Sequence, residues 1–182
     1  IVVNLITQTM LFLFPQNMQV VEGLNDVLKL DSSFLLNLLV VAVMPAICEE
    51  FFFRGFVFTS FSNGKNKKAQ IWAVICSGVL FGFMHIDFIR VIPTSILGIA
   101  LGYAVYKSKS IFIPMLMHFL NNSVAVLAMH TTSHGGLIGK INDLLTIDFN
   151  NFNTIKFLGL IILSIILAFI GSKLLNNKEK QV

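Results

Sequence analysis

Charge is what this sequence has least of: aspartate, glutamate, lysine and arginine make up 12% of its 182 residues, about half the share of an ordinary soluble domain. So little polar surface cannot cover a soluble core, and the deficit points to lipid. Cysteine is scarce too. Cys48 and Cys76 stand alone in apolar runs with no CxxC or zinc-ribbon spacing, which excludes a disulfide framework and a cysteine metal knot. Both read as buried, inert thiols. No basic stripe interleaved with aromatics accompanies the net charge of +4, so no nucleic-acid partner is expected. The strict apolar and polar alternation of a membrane β-barrel is missing as well. The chain opens at Ile1 inside an apolar run, without a charged leader region and cleavage site, so further spans are expected before it.

What is present is hydrocarbon: 55% hydrophobic residues, 18 of them Phe, at a mean hydropathy of +0.82. A spanning helix needs about 20 mainly apolar residues. Segments 1–14, 34–61, 69–88, 91–106, 110–130 and 154–175 approach that measure. Backbone groups in lipid must be bonded within the segment, so these are helices. The predicted class is all-α, a polytopic transmembrane bundle of about six helices. Its organisation is a first span and outer loop over 1–33, a core over 34–130, and a second outer loop and last span over 131–182. The loop Gln16–Ser33 carries Glu22, Asp26 and Asp31; a second polar loop runs from His134 to Asn153. Pro45 should kink the second segment or split it into two stacked helices. Segments 69–88 and 91–106 should join around Arg90 and Pro93. Gly78 with Gly82, and Gly98 with Gly102, form two small-xxx-small pairs suited to close helix packing.

Positive charge orients the bundle. Lys65, Lys67, Lys68, Lys107, Lys109, Lys173, Lys178 and Lys180 fall on one side, while Lys29, Arg90, Lys140 and Lys156 fall on the other. The richer side is expected to be cytoplasmic, in a multi-pass protein of a bacterial plasma membrane whose environment is the lipid bilayer.

Ionisable groups inside such segments need a reason, because a charge at mid-bilayer costs at least about 2.5–3.5 kcal/mol on insertion scales. Glu49, Glu50 and Arg54 lie in the middle of the second segment. Glu50 and Arg54 are one helical turn apart with the acid first, the favourable order for an ion pair. Glu49 points about 100° away and has no such partner. His85 ends the next apolar run; taken alone it is a satisfied interfacial histidine. His118 and Asn122 share one helical face, and alone they would be interhelical glue. Together the three segments bury polar groups of a hydrolytic kind. His130 and His134 form an HxxxH at a span's end with no acid nearby, which reads as a solvated pair and not a metal site.

Glu49-Glu50-x-x-x-Arg54, Phe81-x-x-x-His85 and His118-x-x-x-Asn122, in that order, resemble the motifs of the CPBP family. That family includes the CAAX prenyl endopeptidases and the bacteriocin-immunity Abi proteins, and the resemblance covers about residues 34–130. It implies an intramembrane endopeptidase acting on a peptide or membrane-protein substrate. Glu49 with His85 would activate water, His118 and Asn122 would donate to the oxyanion, and Glu50 and Arg54 would hold the helix and the base in place. Metal-free catalysis by the glutamate is the favoured chemistry. The competing chemistry is a divalent metal such as zinc on Glu49, His85 and His118, with water as fourth ligand. Against it stand the lack of HExxH and the origin of the ligands in three separate helices. A competitor of another class is a non-enzymatic immunity or scaffold protein in which the polar cluster only fixes helix packing. A proton or solute pathway would spread acids through the depth of several spans, and here they cluster. Simple counting puts Glu49 near mid-membrane, His85 nearer the outer end and His118 in the inner third, so kinks at Pro45 and Pro114 would be needed to level them. Neither a prenylated substrate nor an oligomeric state follows from the residues.

Overall fold

The computed structural model describes residues 2–14, 33–62, 66–86, 88–131, 140, 144 and 154–179. The acidic loop with Glu22, Asp26 and Asp31, most of the loop His134–Asn153, and His134 of the HxxxH pair lie outside the described residues. Among them there is no strand, and six helices account for the fold: α1 Val2–Leu13, α2 Phe34–Ser62, α3 Lys67–Phe83, α4 Phe88–Ser108, α5 Phe112–Thr131 and α6 Thr154–Glu179. The predicted all-α bundle is what is found.

Local chemistry sets the boundaries. Ser33 caps α2, its hydroxyl accepting from the Leu36 N–H at 3.4 Å, and Asn66 caps α3 by accepting from the Lys68 N–H at 3.0 Å. α4 ends where Lys109 turns to φ 55° and its N–H reaches the Val105 carbonyl at 2.9 Å, a left-handed cap. α3 ends at Phe83, and Ile86 at φ 57° turns the chain. The expected joint at Arg90 and Pro93 is therefore misplaced by several residues. Both lie inside α4, where Pro93 falls close enough to the helix start to remove only one early bond.

Pro45 does not divide α2 into two helices. α2 is one helix of 29 residues, but it widens into π-turns over Leu38–Val43 and again over Phe51–Val57, with an α-helical stretch Met44–Glu50 between them. Pro45 sits at the start of that stretch, where an absent N–H is tolerated. Pro114 lies in the first turn of α5, where no N–H is needed.

The α3–α4 pair is the tightest contact in the bundle. A Cβ on Gly78 would strike the backbone of Ile99, and one on Gly82 would strike Ser95 and the Val91 carbonyl, so glycine lets the two helices touch main chain to main chain. Gly102 faces Val74 in the same diagonal. This is an antiparallel pair, and its register brings Lys67 level with Lys109.

The distribution of side chains is inverted relative to a water-soluble protein. Glu50, Arg54, Ser77 and His118 are buried, while Phe51, Phe52, Phe56, Trp72, Phe112 and Phe169 are exposed. α2 and Ile89–Ser108 of α4 are long and apolar enough to cross a bilayer, with shorter apolar helices over Phe112–Leu127 and Leu158–Gly171. Such an exterior belongs in a membrane. Cys48 is exposed and Cys76 half-buried, so the expectation of two buried thiols is corrected. Cys48 lies two residues from Glu50, nearly opposite the inward face of α2.

Candidate active site

The inward face of α2 repeats at helical spacing through Glu50, Phe53, Arg54 and Val57. Arg54 Nη1 donates to Glu50 Oε1 at 2.7 Å, the ion pair that the spacing predicts. Its second terminal nitrogen donates to the Gly98 carbonyl of α4 at 2.7 Å, and the guanidinium lies 4.8 Å from the centroid of the Phe81 ring on α3. Three helices are thus tied by one side chain that is 1% exposed. A charge this deep persists because acid, carbonyl and π-face together replace water.

Glu50 does more than hold Arg54. Its Oε1 also accepts from His118 Nδ1 at 2.9 Å. A carboxylate accepts, so Nδ1 carries the proton and the tautomer leaves Nε2 facing the other way. Nε2 lies 3.9 Å from Glu49 Oε2. The two neighbouring glutamates therefore grip opposite edges of one imidazole: Glu50 by a direct hydrogen bond, Glu49 at ion-pair range. His118 is 3% exposed and the Glu49 side chain 23%, so Glu49 is the one with access to the surroundings. No described group gives a hydrogen bond to its buried Oε2.

His85 stands at the end of α3. Its Nδ1 donates to the Phe81 carbonyl at 3.0 Å, which again leaves Nε2 unprotonated in the neutral ring. Phe81 meets the His85 ring at 5.2 Å between centroids and the His118 ring at 5.5 Å, so one buried phenyl is the wall shared by both imidazoles. Glu49 lies within electrostatic reach of both histidines as well as of Glu50 and Arg54. The Asn122 side chain donates to the Val41 carbonyl of α2 at 3.0 Å, while its own oxygen accepts from Asn121 Nδ2 at 3.2 Å.

Glu50 bonds to His118, and Phe81 stands between the His118 and His85 rings, so the groups from three helices meet, the convergence for which counting required kinks at Pro45 and Pro114.

As a metal set the residues do not fit. Among the described residues no three His, Cys, Asp or Glu groups are arranged to hold a metal ion. Sequence reasoning missed the Glu50–His118 bond and the Val41 partner of Asn122. The first had no signal in sequence. Nor had the second, which joins residues 81 apart in sequence.

The model of the type II CAAX prenyl endopeptidase Rce1-like family matches residues 31–124. The Bacillus subtilis (strain 168) protein named "Putative membrane peptidase YdiL" is 24% identical over 106 residues, which are 58% of this chain and 42% of that protein. The chain thus spans less than half the length of that relative. No solved structure matches it. The matched stretch contains all three motifs and is just over half of the sequence, and on that ground the chain belongs to the type II CAAX prenyl endopeptidase Rce1-like family.

Proposed function

We propose that this protein is an intramembrane endopeptidase in which Glu49 activates the attacking water. The observation that carries this reading is the half-buried Glu49 carboxylate, unshared at Oε2 and 3.9 Å from a histidine whose opposite edge Glu50 fixes. In the reaction Glu49 accepts a proton from water, assisted by Nε2 of His85. The hydroxide adds to the substrate carbonyl, and Glu49 returns the proton to the leaving amine as the C–N bond breaks. His118 and Asn122 donate to the oxyanion. Donation from His118 Nε2 while Nδ1 keeps its own proton makes the ring cationic, and Glu50 is its countercharge. Residues 34–130 would form the catalytic core of a multi-pass protein of a bacterial plasma membrane, opened by lateral diffusion of a membrane-borne peptide.

A scaffold or immunity role without catalysis has one observation in its favour: the Glu50, Arg54, His118 and Gly98 contacts also serve as helix glue. Two quenched fluorescent peptides presented in micelles, one farnesylated at a C-terminal CAAX box and one without the lipid, separate the readings. Glu49→Gln keeps the shape and removes the base, so cleavage should fall by orders of magnitude at unchanged expression and helical content. His85→Ala should do the same, and a Glu49→Gln, His85→Ala double variant should be little worse than either, as for groups acting as a unit. Parent-rate cleavage by Glu49→Gln would end the assignment and leave the scaffold ahead.

A further inference from the structure

One buried side chain without a polar atom touches three of the polar groups of the site. The Phe81 ring, 1% exposed, lies 5.2 Å between centroids from the His85 ring and 5.5 Å from that of His118, with the Arg54 guanidinium 4.8 Å from its centre. Phe53 meets it edge-on at 5.2 Å. The main chain of Phe81 takes part as well. The His85 N–H turns tightly onto the Gly82 carbonyl at 3.1 Å, and the Phe81 carbonyl one residue earlier accepts from the His85 ring at 3.0 Å. A residue and the one four places on share a helix face, so the contact of phenyl and imidazole follows from the spacing. The phenyl is backed from α4, where a Cβ on Gly98 would stand 3.1 Å from the Phe81 Cβ.

A single hydrogen bond fixes one edge of an imidazole and leaves its plane free to tilt about that bond. Nδ1 of His118 is held by Glu50 and Nδ1 of His85 by the Phe81 carbonyl. The contact both rings share is the phenyl, met at 81° and 61° between planes. We propose that Phe81 is a positioning residue for both histidines: its ring fixes the tilt of each imidazole, and with it the placement of each relative to Glu49. The inference rests on the endopeptidase reading for its effect on turnover, but not for the placement of the rings. The competing account is that Phe81 is core packing and nothing more. Phe53 separates the two accounts. It is 2% exposed and belongs to the same apolar cluster, but among the described residues its ring meets those of Phe52 and Phe81 and neither histidine.

Phe81→Leu and Phe53→Leu, each in the full chain, both remove a buried phenyl, so both should lower the thermal midpoint by similar amounts. On whichever quenched peptide the parent cleaves, Phe81→Leu should lower kcat by about 10- to 100-fold, the scale of a misplaced catalytic group, and change KM by less than about threefold. Phe53→Leu should cost less than about threefold in kcat, since it moves no catalytic group directly. Equal losses of kcat at equal stability would overturn the proposal and return Phe81 to core packing. A spectrum without substrate reads the same point. In 15N-histidine protein at about pH 8, above the ordinary histidine range, the signals of His85 and His118, assigned by alanine substitution of each, should both report a single tautomer with the proton on Nδ1. Phe81→Leu keeps Glu50 and the carbonyl of residue 81, yet should mix the tautomers of both rings; Phe53→Leu should mix neither. Unchanged tautomers in Phe81→Leu would overturn the proposal and leave the endopeptidase reading intact. A parent that cleaves neither peptide would end that reading, while mixed tautomers would still uphold the placement of the rings. If Phe81→Leu does not fold, the parent decides: one ring-labelled phenylalanine should show nuclear Overhauser contacts to both the His85 and the His118 rings, and the lack of either would overturn the proposal.

Discussion

At Glu50 a single carboxylate oxygen receives two buried donors, Arg54 at 2.7 Å and His118 at 2.9 Å. Removing either ionic partner strands a charge with no route to water, a loss of about 3–5 kcal/mol in comparable buried pairs. Glu50→Gln and Arg54→Gln should therefore each lower the thermal midpoint in detergent, and the double variant should melt no lower than the worse single one; additive losses would remove the coupling. The two variants should differ in turnover. Arg54→Gln leaves the Glu50–His118 bond in place, whereas Glu50→Gln removes the countercharge at Nδ1, so kcat should fall further for Glu50→Gln than its melting temperature alone explains. Equal kcat at equal stability would show that His118 needs no anchor.

Among the elements, α3 and α4 determine how precisely the site is held, because Arg54 reads their packing through the Gly98 carbonyl. A Cβ on Gly98 would come within contact of the Gly78 backbone and of Phe81, atoms that cannot swing aside. Gly98→Ala should thus destabilise by about 1–3 kcal/mol, the usual cost of overpacking, and loosen the Arg54 tie. Gly159→Ala, on α6 with nothing within 4 Å, should be neutral or slightly stabilising by helix propensity. Thermal melts of the two variants decide the point, and similar effects would contradict the packing argument. The two small-residue pairs were readable in sequence because spacing alone marks them. So were the spans, and the Glu50–Arg54 pair, since both partners lie on one helix. The Glu50–His118 bond was not, because it joins residues 68 apart in sequence on two different helices. Nor were the π-turns of α2, which shift register without changing composition. The end of α3 was misread for a related reason: proline and arginine look like breakers, whereas the break is made by Ile86, a β-branched residue held at positive φ.

For the whole molecule the decisive feature is that both lysine-bearing ends of the α3–α4 pair lie at the same level, since the Gly82–Ser95, Gly78–Ile99 and Val74–Gly102 contacts run antiparallel. Lys107 and Lys109 extend over the Tyr106 ring, at 5.6 and 4.6 Å, as amphipathic side chains do at an interface. At the other end His85 closes α3 and Ile86 is 90% exposed. If the lysine-rich end is cytoplasmic, Asn66 and Ser110 face the cell interior and Ile86 faces outward. Single cysteines at these three positions, in a chain with Cys48 and Cys76 replaced by alanine, test this with a membrane-impermeant maleimide on intact cells. Position 86 should label directly, and positions 66 and 110 only after the membrane is opened. Labels at 66 and 110 on opposite sides would refute the topology itself. The reverse pattern, with 66 and 110 reached from outside and 86 from inside, would keep the hairpin but invert it. In that case the end of α3 that carries His85 would open toward the cytoplasm, and the peptides the site could receive would be those anchored in the inner leaflet.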